Sequence, residues 1–394
     1  MVDGMVNNSV IQPIKNQTLA TQAEINRQKE KLNKELYIDS FKPDTTPVNQ
    51  LIPLSISKLS GANPKRYINI FWNQHQPFYK DEARDEFLQP WVRLHATKDY
   101  YNMAAILADY PNVHVTINLS SSLLLQLTQY LAKLKTFADV ESPNRGDTSF
   151  YPYGRVDRWL DLMVKDVKEW DEEEKKFAYD NFFSSDYKGQ IAPYDGYRYL
   201  YDKKKRGELF REQDYRDLKV WFNLVWTDST FLNEPVILIG ETLDGKPMLP
   251  KETVTTPSDL LKKGLEKRYG NTGFTEEESR SLVLDQYAIM KYVIPVHRML
   301  QNRIAPDGHP QIEVVTTPFY HPVLPLINNT QLASQCNPGM PLPDPPFNAP
   351  LDAVAQVVKG REMYKELFGR ELQVVRERRF DQFGPVDQGD GRVA

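Results

Sequence analysis

An α/β fold built on a parallel sheet is what this sequence predicts, and three observations predict it. Apolar runs that read as strands occur at 67–73 (YINIFWN), 113–119 (VHVTINL) and 312–319 (IEVVTTPF). A helical stretch, ATKDYYNMAAILADY at 96–110, separates the first two. Strand, helix, strand is the signature of parallel pairing, because parallel neighbours need a long crossover. A third strand follows a long helix with a strong start signal.

Taken in order, residues 1–65 are polar, rich in Asn, Gln and Lys, and are expected to form a disordered extension. NNS at 7–9 and NQT at 16–18 match glycosylation acceptors, but such tripeptides arise often by chance and carry nothing without secretion. From Pro64 the texture becomes that of a folded chain. The unbroken apolar character of the first strand predicts cover on both of its faces. SSSLLLQLTQYLAKL at 120–134 opens with serines suited to capping and continues as a helix.

Residues 135–270 read as a large, mostly helical insertion, with charged and aromatic stretches such as DRWLDLMVKDVKEWDEEEKKF and QDYRDLKVWFNLVW. No long Gly/Ser/Pro linker brackets it, so it is expected to pack within the same domain, 66–372. In TEEESRSLVLDQYAIMKYVIPVHRML, Thr275 and Glu278 form a capping box that starts a long helix, and Pro295 is expected to kink it. Beyond the third strand come YHPVLPLINN, a Pro-rich coil at 338–350, and the helix LDAVAQVVKGREMYKELFG, with Gly369 as its stop.

Composition narrows the function classes. With 49 basic and 53 acidic residues the formal charge is -4, so the basic excess of a nucleic-acid binder is missing and a neutral substrate fits better. The aromatic content, 21 Tyr and 6 Trp, suits the apolar faces of sugars as well as it suits a large core. Cys336 is the single cysteine, which excludes an intramolecular disulfide and a thiolate zinc cage and points to a reducing compartment. The first thirty residues hold no apolar h-region and no window of about 18 apolar residues occurs, so a cytoplasmic protein without membrane contact is expected.

In parallel α/β sheets, ligands bind at the carboxyl ends of strands. Gln74, His75 and Gln76 sit at such an end, where amides and an imidazole can contact vicinal hydroxyls; a histidine satisfied by backbone at a buried turn is the plainer alternative. Glu313 and His321 flank the third strand. Glu313 either finds a partner, a histidine or a sugar hydroxyl, or points to solvent at the strand's start. His95 falls just before a helix, where a structural hydrogen bond is the stronger expectation, and His114, His297 and His309 read as ordinary strand, helix and loop residues. No histidine pair has HExxH or HxxxH spacing, so no metal is expected. GxGxxG, GxxxxGK[ST] and GxSxG patterns are missing too, which argues against dinucleotide enzymes, P-loop NTPases and α/β-hydrolases.

Three separated motifs are more specific together than apart: INIFWNQHQPFYKD, QPWVRLHATKDYYNMAAILADYPNVHVTINLSSSLLLQL and QIEVVTTPFYHPVLPLI. In this order they resemble the N-terminal catalytic region of glycoside hydrolase family 57, in particular its amylopullulanase-like and α-amylase-like members. GFTEEESRSLVLDQYAIMKYVIPVHRML and PPFNAPLDAVAQVVKGREMYKELFGR are similar to that family's connecting helices. The resemblance implies a (β/α)7 barrel, of which this chain holds roughly the first three βα units, and action on α-linked glucans by a retaining double displacement without metal or organic cofactor. It implies that His75, in the family's HQP motif, binds the sugar at the cleavage site with Gln76 beside it, and that Glu313 and His321 line the same pocket. Trp72 and Trp91 are candidate stacking or packing aromatics, with packing the expected role for both; His95 completes the candidate substrate-binding set.

The family's strand with a GMWPxEG-like motif, which carries the nucleophilic Glu, has no counterpart after Gly369, and neither does its general-acid Asp motif. The chain reads ELQVVRERRFDQFGPVDQGDGRVA instead, with Arg379 near the nucleophile's place and Glu377 lacking every neighbour of the motif. The expectation is a chain truncated or shifted in frame near residue 372, with a disordered tail at 373–394 and no catalytic residue of its own. It would be inactive alone, would act as a glucan or maltooligosaccharide binder without catalysis, or would be completed by a separately encoded remainder of the barrel.

Overall fold

The computed structural model describes residues 68, 70–141, 156–267 and 269–372, with the backbone alone described over 136–141. The extension 1–65 with its two acceptor tripeptides and the tail 373–394 with Glu377 and Arg379 lie outside the described residues. The chain divides between Ile68 and Asn69, and everything below belongs to the second unit, 69–394.

Three parallel strands form the central sheet in the order β1 (Phe71–Gln74), β2 (Val115–Leu119), β3 (Ile312–Val315). Phe71 pairs with Thr116 and Thr116 with Glu313, and the rows through Ile117 and Asn118 likewise cross all three strands. One face carries Gln74, Ile117, Leu119, Ile312 and Val314, all buried. On the other, Phe71 is 53% exposed and Asn73 and Glu313 are exposed. The first strand is therefore covered on one face only. Its apolar run reads as doubly buried because period-2 contrast fails at Phe71, whose cover depends on what lies across the sheet rather than on local sequence.

Helices pack on the buried face. The helix expected at 96–110 begins earlier and is broken into segments: α1 (Trp91–His95), a π-helical turn over Ala96–Tyr100, α2 (Tyr101–Ala105) and a 3-10 turn over Ile106–Asp109. His95 is thus the last residue of α1 and does not precede the helix. Next comes α3 (Ser121–Glu141), whose entry is capped by Ser120: its Oγ accepts from the Leu123 amide at 3.3 Å.

The insertion supplies α4 (Arg158–Val164), α5 (Glu172–Asn181), α6 (Asp195–Lys205), α7 (Glu212–Val225) and α8 (Thr256–Glu266). These fall in the same compact unit as the sheet. Then α9 (Glu276–Asn302) starts from the Thr275–Glu278 capping box and runs through Pro295 as one helix. The backbone beside it adapts: Pro295 O accepts from the Glu241 amide at 3.1 Å, and Gly240 lies so close that a Cβ there would stand 2.6 Å from the Pro295 Cβ. Last is α10 (Pro350–Phe368), closed by Gly369 in the left-handed region at φ 68°.

A buried ion pair ties insertion to sheet helices. Arg93 of α1, fully buried, donates from Nε to Asp157 Oδ2 at 3.2 Å and from Nη1 to Asn223 and Gln286 at 2.7 and 2.9 Å. Tyr130 of α3 donates to the same Asp157 carboxylate at 3.0 Å, and Asp157 also caps α4 through the Leu160 amide. Every polar group of the hub has a partner, which is the condition for a buried charge to be tolerated. Among the described residues no helix is long and apolar enough to cross a membrane.

Candidate functional site

The carboxyl ends of the three strands are held by the first turns of α3. Ser122 Oγ donates to Gln76 O at 2.6 Å and Gln126 Nε2 to Pro77 O at 2.7 Å, fixing the turn after β1. Ser121 Oγ donates to Thr317 O at 2.5 Å, and Thr316 Oγ1 to Leu119 O at 2.7 Å, fixing the turn after β3. Gly360 of α10 closes against this joint, since a Cβ there would stand 2.9 Å from Ser121 Oγ and 3.0 Å from Thr317 O. The serine run thus does more than cap a helix: it sets two strand-end loops at one distance.

What those loops bring together is a pair of imidazoles. The rings of His75 and His321 lie with centroids 4.2 Å apart, tilted by 32°. His321 sits in the left-handed region at φ 63°, a conformation a non-glycine residue holds only when its surroundings impose it, and such residues concentrate at functional sites. Its amide donates to Pro318 O at 2.8 Å, and Tyr320 beside it meets the Phe78 ring edge-on at 5.2 Å. Burial, and after it the repulsion of a nearby His321 charge, depress the His75 pKa below the usual imidazole range. At neutral pH His75 is therefore uncharged and offers one donor and one acceptor, which suits hydroxyls rather than anions.

Gln76 is buried between two tyrosines. Tyr79 Oη donates to its Oε1 at 2.9 Å and its Nε2 donates to Tyr100 Oη at 2.6 Å. Burial holds both phenols above their ordinary pKa, so they remain neutral partners. Around the strand ends several buried polar atoms lack a protein partner, among them His75 Nδ1, Asn118 Oδ1 and Thr317 Oγ1. Buried polar atoms of this kind, which also occur elsewhere in the fold, can be met by water or by the hydrogen-bonding groups of a ligand.

The remaining candidates separate. Glu313 is exposed on the open sheet face, in the register row of Phe71, with Oε2 accepting from Thr116 Oγ1 at 3.4 Å. That row lies four residues before His75, on the order of 13 Å along the strand, so Glu313 is not brought to the imidazole pair. Both expected outcomes apply to it in part: it points to solvent and it has a weak partner. Trp72 is half-buried and packs against the core. His95 has the structural hydrogen bond foreseen for it, Nδ1 to Asp99 Oδ2 at 2.6 Å, but the pair remains half-exposed and its ring stacks on Tyr100 at 5.9 Å. Trp91 meets Trp226 at 5.5 Å. His114 bonds at the surface to Pro310 O and Asp307, and His297 is buried in α9.

Tyr79, Tyr100 and Trp226 escaped the sequence reading. Tyr79 follows the HQP run by two residues and could have been found there; Tyr100 and Trp226 sit in helical runs whose apolar spacing reads as core. Among the described residues no group of three or more His, Cys, Asp or Glu side chains is arranged to hold a metal ion.

No curated protein and no solved structure matches this chain. A family model does: it covers residues 69–377, from the start of β1 past the end of α10, and includes both imidazoles, the tyrosine-clamped amide and the whole insertion. With more than three-quarters of its length matched, and a parallel α/β architecture with a polar strand-end cluster, the chain belongs to glycosyl hydrolase family 57.

Proposed function

We propose that the chain is the substrate-binding side of an α-glucan-active glycosidase of the retaining type, of the amylopullulanase or α-amylase kind, and that by itself it binds α-glucan or maltooligosaccharide without cleaving it. The reading rests foremost on the His75–His321 pair, two imidazoles pressed together at strand ends with His321 held in the left-handed region. Gln76 serves beside them, and Trp91 and His95 extend the same surface. Trp72 is kept for packing and Glu313 for the open sheet face, which would be the interior of a partial (β/α)7 barrel. A reducing, cytoplasmic setting suits the single exposed cysteine.

A retaining mechanism needs two carboxyl groups about 5 Å apart, one as nucleophile and one as acid/base. Among the described residues no hydrogen bond or ion pair joins a carboxylate to His75 or His321, and no WPxEG sequence occurs in the chain. Calorimetry with maltoheptaose, paired with a reducing-end assay on soluble starch, tests both halves. Binding that His75→Ala weakens about tenfold, with no product formed, is expected from the loss of one to two hydrogen bonds. Release of reducing ends that His75→Ala abolishes would refute the non-catalytic part, and no binding at all would refute the whole. A second reading, completion by a separate polypeptide, is favoured by β1 and β3 both being edge strands among the described residues. Co-purification of such a partner, with activity appearing on mixing, would establish it.

A further inference from the structure

We propose that Trp226, delivered by the insertion, forms with Trp91 and His95 a second sugar-stacking platform continuous with the imidazole pair, through which the protein distinguishes long α-glucans from short ones. The inference rests on the α-glucan reading above and adds to it a residue and a specificity.

Trp159, Trp170 and Trp221 are buried core residues at 5%, 3% and 0%, whereas Trp72, Trp91 and Trp226 are only partly buried. Of these three, Trp91 and Trp226 meet one another, and Trp226 also meets His95. The Trp226 ring meets His95 edge-on at 5.2 Å and Trp91 at 5.5 Å, and His95 stacks on Tyr100 at 5.9 Å. Tyr100 takes the hydrogen bond from Gln76, the neighbour of His75. The rings are therefore linked to the imidazole pair through two buried side chains, Tyr100 and Gln76.

The platform is built rather than accidental. Thr97 Oγ1 donates to Trp226 O at 2.8 Å, Lys98 Nζ to Thr227 O at 3.1 Å, the Asp228 amide to Thr97 O at 3.1 Å, and Asn102 Nδ2 to Asp228 Oδ1 at 2.9 Å. Three of these bonds clamp the 226–228 corner onto the π-helical turn that carries Asp99 and Tyr100, and the fourth ties it to α2. Such turns insert an extra residue and recur at functional sites. The indole Nε1 is satisfied by Ser184 O and Ser185 Oγ at 3.3 and 3.2 Å, which fixes the ring and leaves its uncovered apolar surface for C–H groups. Because a carboxylate only accepts, Asp99 assigns the proton to His95 Nδ1 and leaves Nε2 for a sugar hydroxyl. An apolar ring face beside a fixed acceptor is what a pyranose, with its C–H face and ring of hydroxyls, can use.

The test compares maltotriose with maltoheptaose by calorimetry. Trp226→Ala is expected to lower the ratio of heptaose to triose affinity about tenfold, the size of one stacking contact, and Trp226→Phe to recover most of it. His75→Ala is expected to weaken both ligands and leave the ratio within about twofold. A ratio unchanged in Trp226→Ala, or Phe as damaging as Ala, overturns the platform while the α-glucan reading stands; a wild-type protein that binds neither ligand overturns both. Should Trp226→Ala fail to fold, acrylamide quenching of the wild-type tryptophans decides: protection by maltoheptaose and not by maltotriose supports the platform, and equal protection by both overturns it.

Discussion

His297 makes acid stability the most calculable property of this protein. It is fully buried in α9, its Nδ1 donates to Val293 O at 2.7 Å, and Nε2 has no partner. Burial drives its pKa down from 6.5 to about 4, the Val293 bond opposing only in part. Above pH 6.5 the ring is neutral in both states and contributes nothing. As pH falls from 6.5 towards 4 the unfolded chain takes the proton first, so the native state loses stability through that window. The loss is about 2–3 kcal/mol at pH 4.5 and about 3 kcal/mol below pH 4, a large share of the stability of an ordinary domain. Asp217 and Asp285, whose pKa values burial raises, act in the opposite sense, so the wild-type slope alone does not isolate the ring. Urea unfolding of wild type and His297→Leu at pH 7.0 and 4.5 does. Leucine removes an unpaired nitrogen and keeps an apolar filling, so the two proteins should agree within about 1 kcal/mol at pH 7.0 and differ by about 2–3 kcal/mol more at pH 4.5. Parallel losses in both would refute the assignment.

Two further substitutions probe the frame that carries the site. Arg93→Met leaves the Asp157 carboxylate buried without its cation and should cost about 3–5 kcal/mol in urea unfolding; a loss below about 1 kcal/mol would mean that water reaches the pair. Gly196→Ala in α6 would place a Cβ 2.6 Å from Thr272 Oγ1 and 2.8 Å from Trp221 Nε1, splitting the 2.9 Å bond between them. A cost of about 1–3 kcal/mol with a red shift in tryptophan emission is expected, and unchanged emission would show that the helix shifts instead.

The features legible in the sequence are those decided within a few residues. The Thr275–Glu278 box, the Ser120 cap and the Gly369 stop all stand where local chemistry puts them, because each satisfies helix-end groups from its own neighbourhood. The parallel sense of the sheet was legible for the same reason, since strands separated by a helix can pair in parallel. Contacts between distant segments were not. The open face of β1 depends on what crosses the sheet, and the approach of His321 to His75 depends on two loops being tied to one helix by Ser121 and Ser122. The π-helical turn leaves no trace in a 3.6-residue pattern, which is why His95 was read as lying before a helix it in fact ends.

That turn is also where the large insertion is fastened to the segment that presents Tyr100 to Gln76. The loops after β1 and β3 bring His75 and His321 together, while Tyr100 is carried by the segment 91–102. The insertion reaches there only because its 226–228 corner is bonded to Thr97, Lys98 and Asn102, so the position of Trp226 is referred to the same segment that presents Tyr100 to Gln76. Arg93, one turn earlier in that segment, is bonded in turn to Asp157 and Asn223 of the insertion. Residues 91–102 therefore act as a common reference for both halves. A displacement of the insertion would reach the Gln76 amide through its 2.6 Å bond to Tyr100, and through Asp157 and Tyr130 it would also reach α3, whose Ser122 holds the Gln76 carbonyl.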